Sequence, residues 1–200
     1  MQLLVNFYAN VLDTTISDFI RLVTQISAQQ SQKGKPIDEI VLQISSSGGS
    51  SDHGLLAYNF LKQSGLKITT IGMGNVDSAA IMLFCTGTTR ISVPSCRFLI
   101  HEATATIQGI FNANKLKEIV KVTERINDDY CTVIASVCNK KLTQVKSDVM
   151  KSTVMSSESA SKYGLVNIIT EEPYIKDFNG LPVIGINNPI QIQPQQHTQI

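Results

Sequence analysis

The chain has 200 residues, 42% of them hydrophobic and 16% charged, with a formal net charge of +1. That length suits one domain with a sizeable core, and so small a charge gives bulk electrostatics no preference for nucleic acid or an anionic membrane. Tryptophan is absent, and no Lys/Arg cluster with interleaved aromatics occurs. The N-terminus, Met1-Gln-Leu-Leu-Val-Asn-Phe7, lacks the basic region, long apolar stretch and small-residue cleavage site of a signal peptide. No apolar run approaches the roughly 18 residues of a spanning helix. The expectation is a cytoplasmic protein with no nucleic-acid or membrane partner.

Leu3 to Phe7 reads as a short strand. Asp13 or Thr14 caps a helix whose stripe is Ile16, Phe19, Ile20, Val23 and Ile26. Gln29 to Pro36 is polar and reads as a loop. Glu39 to Ile44 is a buried strand, followed by the small-residue turn Ser45-Ser-Ser-Gly-Gly-Ser-Ser51. Leu55 to Leu61 is helical, Lys67 to Gly72 is a strand, and Ser78 opens a helix through Phe84. Thr89–Val93 and Arg97–Ile100 are two further short strands. This order predicts an α/β domain with parallel strands.

From Asn114 the pattern becomes one long helix. Leu116, Ile119, Thr123, Ile126, Tyr130, Val133 and Val137 alternate steps of three and four, a coiled-coil-like seam broken by one threonine. Such a seam packs on another subunit or on its own domain. Ser157 to Leu165 is a short helix ending at Gly164, and Val166 to Ile169 is a strand. Pro189 to Ile200 is rich in glutamine and uncharged, which suits a loosely attached arm, or an edge strand through Ile190 and Ile192. Cys85, Cys96, Cys131 and Cys138 have no metal-ligand spacing and read as buried free thiols.

Two residues carry chemistry. Ser78 lies in Met73-Gly-Asn-Val-Asp-Ser78-Ala-Ala-Ile-Met-Leu83, a turn opening into an apolar run. His101 ends the apolar segment Phe98-Leu-Ile-His101. A serine hydroxyl needs a base to become a nucleophile at neutral pH. Taken alone, Ser78 is a helix N-cap and His101 a strand-end histidine. His53 and His197 have no comparable context and read as surface residues.

Four segments in register resemble the ClpP family, the proteolytic subunits of the Clp protease, within the crotonase-like superfamily. Ser45-Ser-Ser-Gly48-Gly49-Ser50 is similar to that family's Asn-Ser-Pro-Gly-Gly-Ser. Gly74-Asn-Val-Asp-Ser78 is similar to its Gly-x-Ala-Ala-Ser turn, and Phe98-Leu-Ile-His101-Glu to its Met-Ile-His-Gln. Val154-Met-Ser-Ser-Glu158-Ser-Ala160-Ser-Lys-Tyr163-Gly164-Leu165-Val166 is similar to its Ser-Ala-x-Glu-Ala-x-x-Tyr-Gly-Leu-Ile-Asp stretch.

The resemblance implies an α/β ClpP/crotonase-like fold of repeated ββα units over residues 1–172. It implies a protruding handle helix at about 114–137; residues 173–200 lie beyond the resemblance and read as a C-terminal extension, partly disordered. It implies a serine endopeptidase acting on peptides or unfolded proteins, with Ser78 as nucleophile and His101 as base. The oxyanion hole falls on the N–H groups of Gly49 and Ala79. It further implies a homo-oligomeric ring, heptameric or a double ring, and needs no metal or organic cofactor.

The chain departs from the family pattern in four places. Counting back from Tyr163-Gly164-Leu165, the acid position holds Ser152, and Asp148 is the nearest carboxylate. Asp77 stands where the family has alanine, and about 28 residues beyond Glu172 are unexplained by the pattern. Family members carry residues before the first strand that form axial-pore loops. Here that strand starts almost at Met1, which puts docking to an unfoldase ATPase in doubt. Two rival functions follow. One is a catalytically weak or silent ClpP-like structural or regulatory subunit, which the Ser152 change favours. The other is an acyl-CoA enzyme of the hydratase type, against which the Ser78/His101 pair argues.

Overall fold

The computed structural model describes residues 1–189. Its elements are β1 (Gln2–Tyr8), α1 (Asp13–Gln32), β2 (Glu39–Ser46), α2 (Ser51–Gln63), β3 (Lys67–Asp77), α3 (Ala80–Phe84) and β4 (Thr89–Ser92). Then come β5 (Arg97–Ile100), α4 (Ala113–Cys138), α5 (Leu142–Met150), β6 (Thr153–Ser156), α6 (Ser157–Tyr163), β7 (Ile168–Ile169) and β8 (Val183–Asn187). One sheet runs β6-β5-β3-β2-β1-β8, and β4 joins it to β7 through β3. Pairing is parallel except between β5 and β6. This is the α/β class that the sequence predicts. Among the described residues no helix is long and apolar enough to cross a membrane. The glutamine-rich stretch expected as an arm or edge strand lies, from Ile190 on, outside the described residues.

Parallel strands covered on both faces need apolar residues on both faces. On one face Leu3, Val5, Phe7, Ile40, Leu42 and Ile44 meet the α1 stripe of Ile16, Phe19 and Val23. Phe19 packs edge-on between Phe7 and Phe60, with centroids 6.2 and 6.1 Å away. On the other face Leu4, Val41, Ile71 and Ile91 are covered by Ile175, with Tyr174 and Leu181 alongside.

Several boundaries differ from the sequence expectation. α1 continues through the polar residues 29–32, because glutamine is a fair helix former on an exposed face. It stops short of Gly34, which takes a φ of +71°. β3 does not end at Gly72 but runs on to Asp77. Thr69–Gly72 pair with β4 and Asn75–Asp77 pair with β5, so β3 divides the sheet into two levels. α5, β6 and β8 have short or polar sequences with no clear period, and only their packing partners define them.

The long helix forms as Ala113–Cys138, and its seam divides. Of the seam, Tyr130 and Val133 are buried in the domain's own core, Ile119, Thr123, Ile126 and Val137 are half-buried, and Leu116 is exposed, as are Val120 and Val122 beside it.

Within the described residues 173–189, the extension is tied to the sheet. β8 pairs with β1, and Tyr174 Oη donates to Glu39 Oε1 at 2.8 Å. Glu39 also accepts from Thr69 Oγ1 and Gln2 Nε2 and pairs with Lys67. Burial alone would raise this carboxyl, but these partners outweigh it and hold it at about 2, below its ordinary 4.5. A depressed carboxyl stabilises the fold above its ordinary pKa, and that stabilisation is lost as pH falls through the depressed value. Glu39→Gln should therefore cost on the order of 2 kcal/mol near neutrality. The melting difference from the unsubstituted chain should hold down to about 4.5 and close towards pH 2. A difference independent of pH across that window would remove Glu39 as the tie.

Candidate active site

In parallel α/β sheets, ligands bind beyond the carboxyl ends of the strands. Here β1, β2, β3 and β5 deliver Val11, Gly48–Gly49, Ser78 and His101 to that edge. Asp77 pairs with Leu99, so Ser78 and His101 leave adjacent parallel strands within two residues of that pair.

Ser78 is not the N-cap that its local sequence suggests. It has a φ of +56°, and α3 begins two residues later, after Ala79. Its N–H donates to Leu99 O at 2.8 Å, and its carbonyl accepts from Ile81 N at 2.9 Å. Tyr130 Oη of α4 donates to the same carbonyl at 3.2 Å. A non-glycine residue in the left-handed region is strained and persists only where its surroundings hold it. β5 and α4 supply that hold, and the side chain is left facing a cavity.

The Gly48–Gly49 turn packs against this serine turn. A Cβ on Gly48 would lie 2.6 Å from Ser78 Cβ, 2.7 Å from Asp77 O and 3.0 Å from Ala79 N. A Cβ on Gly49 would lie 2.3 Å from Val11 O. Gly48 O accepts from Val11 N at 2.7 Å, and Ser50 N donates to Val11 O at 2.8 Å. Among the described residues, neither the Gly49 nor the Ala79 N–H donates to a backbone acceptor outside regular elements.

Ser78, His101, Gly49, Ser50 and Thr104 line one cavity of about 410 Å³. Ala79 is buried behind it. Among the described residues no hydrogen bond joins Ser78 Oγ to His101, and none joins His101 to a carboxylate. Just past His101, Ala103 N donates to Asn127 Oδ1 of α4 at 2.8 Å, which turns the chain away from the strand. A second cavity of about 260 Å³ adjoins the first, lined by Leu55, Met82, Val122 and Ile126.

The acid candidates separate. Ile100 pairs with Thr153, so continuing the antiparallel register puts Ser152 opposite His101. Ser152 is exposed, with a φ of +55°. Asp148 is engaged elsewhere: Gln144 Nε2 donates to one oxygen and Tyr163 Oη to the other, each at 2.9 Å. Burial and then this bond push the Tyr163 phenol well above its usual range. Asp77, next to the serine, is buried and held bidentately by Arg97, with Asn75 Nδ2 at 3.1 Å. Its charge is compensated there and does not load the site. The four cysteines are buried and free, as the sequence predicts. Burial pushes Cys96, Cys131 and Cys138 up to about 11, so they are poor nucleophiles at neutral pH.

Tyr130 and Asn127 buttress the serine and histidine turns, and sequence alone shows them only as members of a helix with an apolar seam. His53 departs from its expected surface setting: it is half-buried and bonded to Ser50.

The Clp protease family model matches residues 5–173. The chain is 29% identical over 139 residues to the ATP-dependent Clp protease proteolytic subunit 2 of Borreliella burgdorferi, covering 68% of each. It is 28% identical over 163 residues to the ATP-dependent Clp protease proteolytic subunit of Porphyromonas gingivalis, covering 80% of this chain and 72% of that one. Among solved structures, a point mutant of ClpP1 from Listeria monocytogenes matches with a TM-score of 0.74 at 22% identity, over 84% of this chain and 91% of that one. ClpP1 from the same organism matches with a TM-score of 0.71 at 23% identity, over 85% and 92%. These structures agree with the fold described above.

Proposed function

Because the chain belongs to the Clp protease family, we propose that it is a serine endopeptidase with Ser78 as its nucleophile. Ser78 Oγ attacks the peptide carbonyl while His101 takes its proton. The resulting oxyanion sits on the N–H groups of Gly49 and Ala79. The intermediate collapses to an acyl-enzyme, and His101 gives the proton to the leaving amine. His101 then deprotonates a water that hydrolyses the ester and restores Ser78. The adjoining cavity, where Asp52, Lys121, Arg125 and Asp129 rim the apolar Leu55, Met82, Val122 and Ile126, accepts a substrate side chain. By likeness to the family, the subunit works in the cytoplasm in a ring, and the exposed half of α4 joins neighbouring copies.

The observation that carries this reading is the shared cavity. Ser78, His101 and Gly49 come from three strand ends and line one space, with a strained serine turn at its wall. An unstructured fluorogenic peptide should be cleaved by the full chain. Ser78→Ala and His101→Ala should each lower kcat by about 10³-fold or more. Cleavage that survives Ser78→Ala ends the proposal.

A second reading also has an observation behind it. His101 has neither a bond to Ser78 nor a carboxylate partner among the described residues, which suits a silent subunit retained for assembly. Failure of the unsubstituted chain to cleave any peptide or react at Ser78 would favour that reading.

A further inference from the structure

His53 lies outside the mechanism above, yet both of its ring nitrogens are engaged. Nδ1 is 2.8 Å from Ser50 Oγ, and Nε2 is 3.3 Å from Asp13 Oδ1 at the start of α1. Ser50 is also the N-cap of α2, and its Oγ accepts from His53 N at 3.4 Å. The backbone of Ser50 donates to Val11 O, while Val11 N donates to Gly48 O. Val11 and Asp13 are two residues apart, so the contacts close a loop: Val11, Asp13, His53, Ser50 and back to Val11. Gly49, itself exposed, lies between Gly48 and Ser50, the two residues that bond to Val11. It has a φ of +142° and no room for a Cβ against Val11.

We infer that His53 is a positioning residue that clamps the Gly48–Gly49–Ser50 turn against the end of β1 and so aims the Gly49 N–H into the cavity. What the aimed N–H does rests on the proposed function; the clamp itself does not. A glycine with an extreme φ carries no side chain to fix its orientation, so its neighbours must fix it. Ser50 is held through its backbone by Val11 and through its side chain by His53. Removal of the imidazole leaves only the backbone half of that hold. A donor displaced by a fraction of an ångström loses much of its value in a transition state. A Ser50–His53–Asp13 nucleophilic relay is a poorer account of the same contacts. Ser50 Oγ already serves as a helix cap, and the Asp13 side chain is 78% exposed, where solvent screens its charge.

Two measurements on the full chain test the clamp. The first is the rate at which a fluorophosphonate labels Ser78, because its phosphoryl oxygen lands on the oxyanion donors. His53→Ala should slow labelling by about tenfold and lower kcat for a peptide by a similar factor, with KM within about twofold. His53→Asn, which keeps a polar atom near the Nδ1 position, should recover most of the rate, and Asp13→Ala should fall between. The second is amide hydrogen exchange of the segment 48–50, which should quicken in His53→Ala. Unchanged labelling in His53→Ala, or label on Ser50 in place of Ser78, overturns the inference. If the unsubstituted chain takes no label, the peptidase reading fails and exchange alone decides the clamp. Faster exchange in His53→Ala, or in Asp13→Ala should the first variant not fold, then upholds the clamp, and unchanged exchange overturns it.

Discussion

Ser152→Asp should speed peptide hydrolysis by about ten- to a hundredfold. Continuing the β5–β6 register sets residue 152, just before β6, opposite His101. A carboxylate there can hold the imidazole Nδ1–H and stabilise the imidazolium that forms as Ser78 attacks. A serine hydroxyl can do only the first. Ser152 has a φ of +55°, a conformation that aspartate tolerates better than most residues. It is also exposed, so the change should not disturb the core. That exposure limits the gain below the roughly 10⁴-fold of a strict buried triad, since water screens the new charge. Ser152→Asn is the control, because it can bond to the ring without a charge. Equal rates for Ser152→Asp and Ser152→Asn would show that no charge is missing at this position.

Gly48→Ala should be strongly damaging. Its Cβ would enter between Ser78 Cβ at 2.6 Å and Asp77 O at 2.7 Å, with Ala79 N at 3.0 Å. Two of these are backbone atoms and the third belongs to a residue pinned by Leu99 and Tyr130, so none can turn aside. The φ of +86° adds left-handed strain of about 1–2 kcal/mol. Overpacking adds a further 1–3 kcal/mol or so. The serine turn and the Gly49 turn would be pushed apart, so activity should fall by about 100-fold or more even in the folded fraction. Gly34→Ala separates strain from contact. Gly34 has a comparable φ of +71° but nothing within 4 Å of its Cβ position, so it should lose only the conformational part. Equal denaturation midpoints for the two variants would contradict the close approach of the two turns.

The residues proposed to carry the chemistry each stand at an element boundary with a local signature. Ser78 follows a glycine-bearing turn, His101 ends an apolar run, and Gly48–Gly49 interrupts a strand and a helix. Parallel pairing follows from the alternation of short apolar strands with helices. What sequence did not show is set by partners distant along the chain. The N-cap expected at Ser78 obeys a local rule, but the bonds to Leu99 and Tyr130 hold the residue in a left-handed turn instead. Asp77 reads as an unfavourable charge until Arg97, on the adjacent strand, is seen to neutralise it. His53 reads as a surface residue because Asp13, its partner at the start of α1, is brought near only by the packing of α1 on α2. β8 has five residues and depends on the edge of β1. The seam of α4 has one period throughout, yet its burial fades from Tyr130 and Val133 towards the exposed Leu116, because the domain covers chiefly the helix's C-terminal portion.

The central claim is that Ser78 is an activated nucleophile facing the Gly49 and Ala79 amides. The most direct measurement is the mass of the full chain after reaction with a fluorophosphonate, followed by peptide mapping of the adduct. The account predicts one adduct per chain, on Ser78, absent from Ser78→Ala and strongly slowed in His101→Ala. No adduct at any pH between about 6 and 9, or an adduct that maps to another serine, would contradict it.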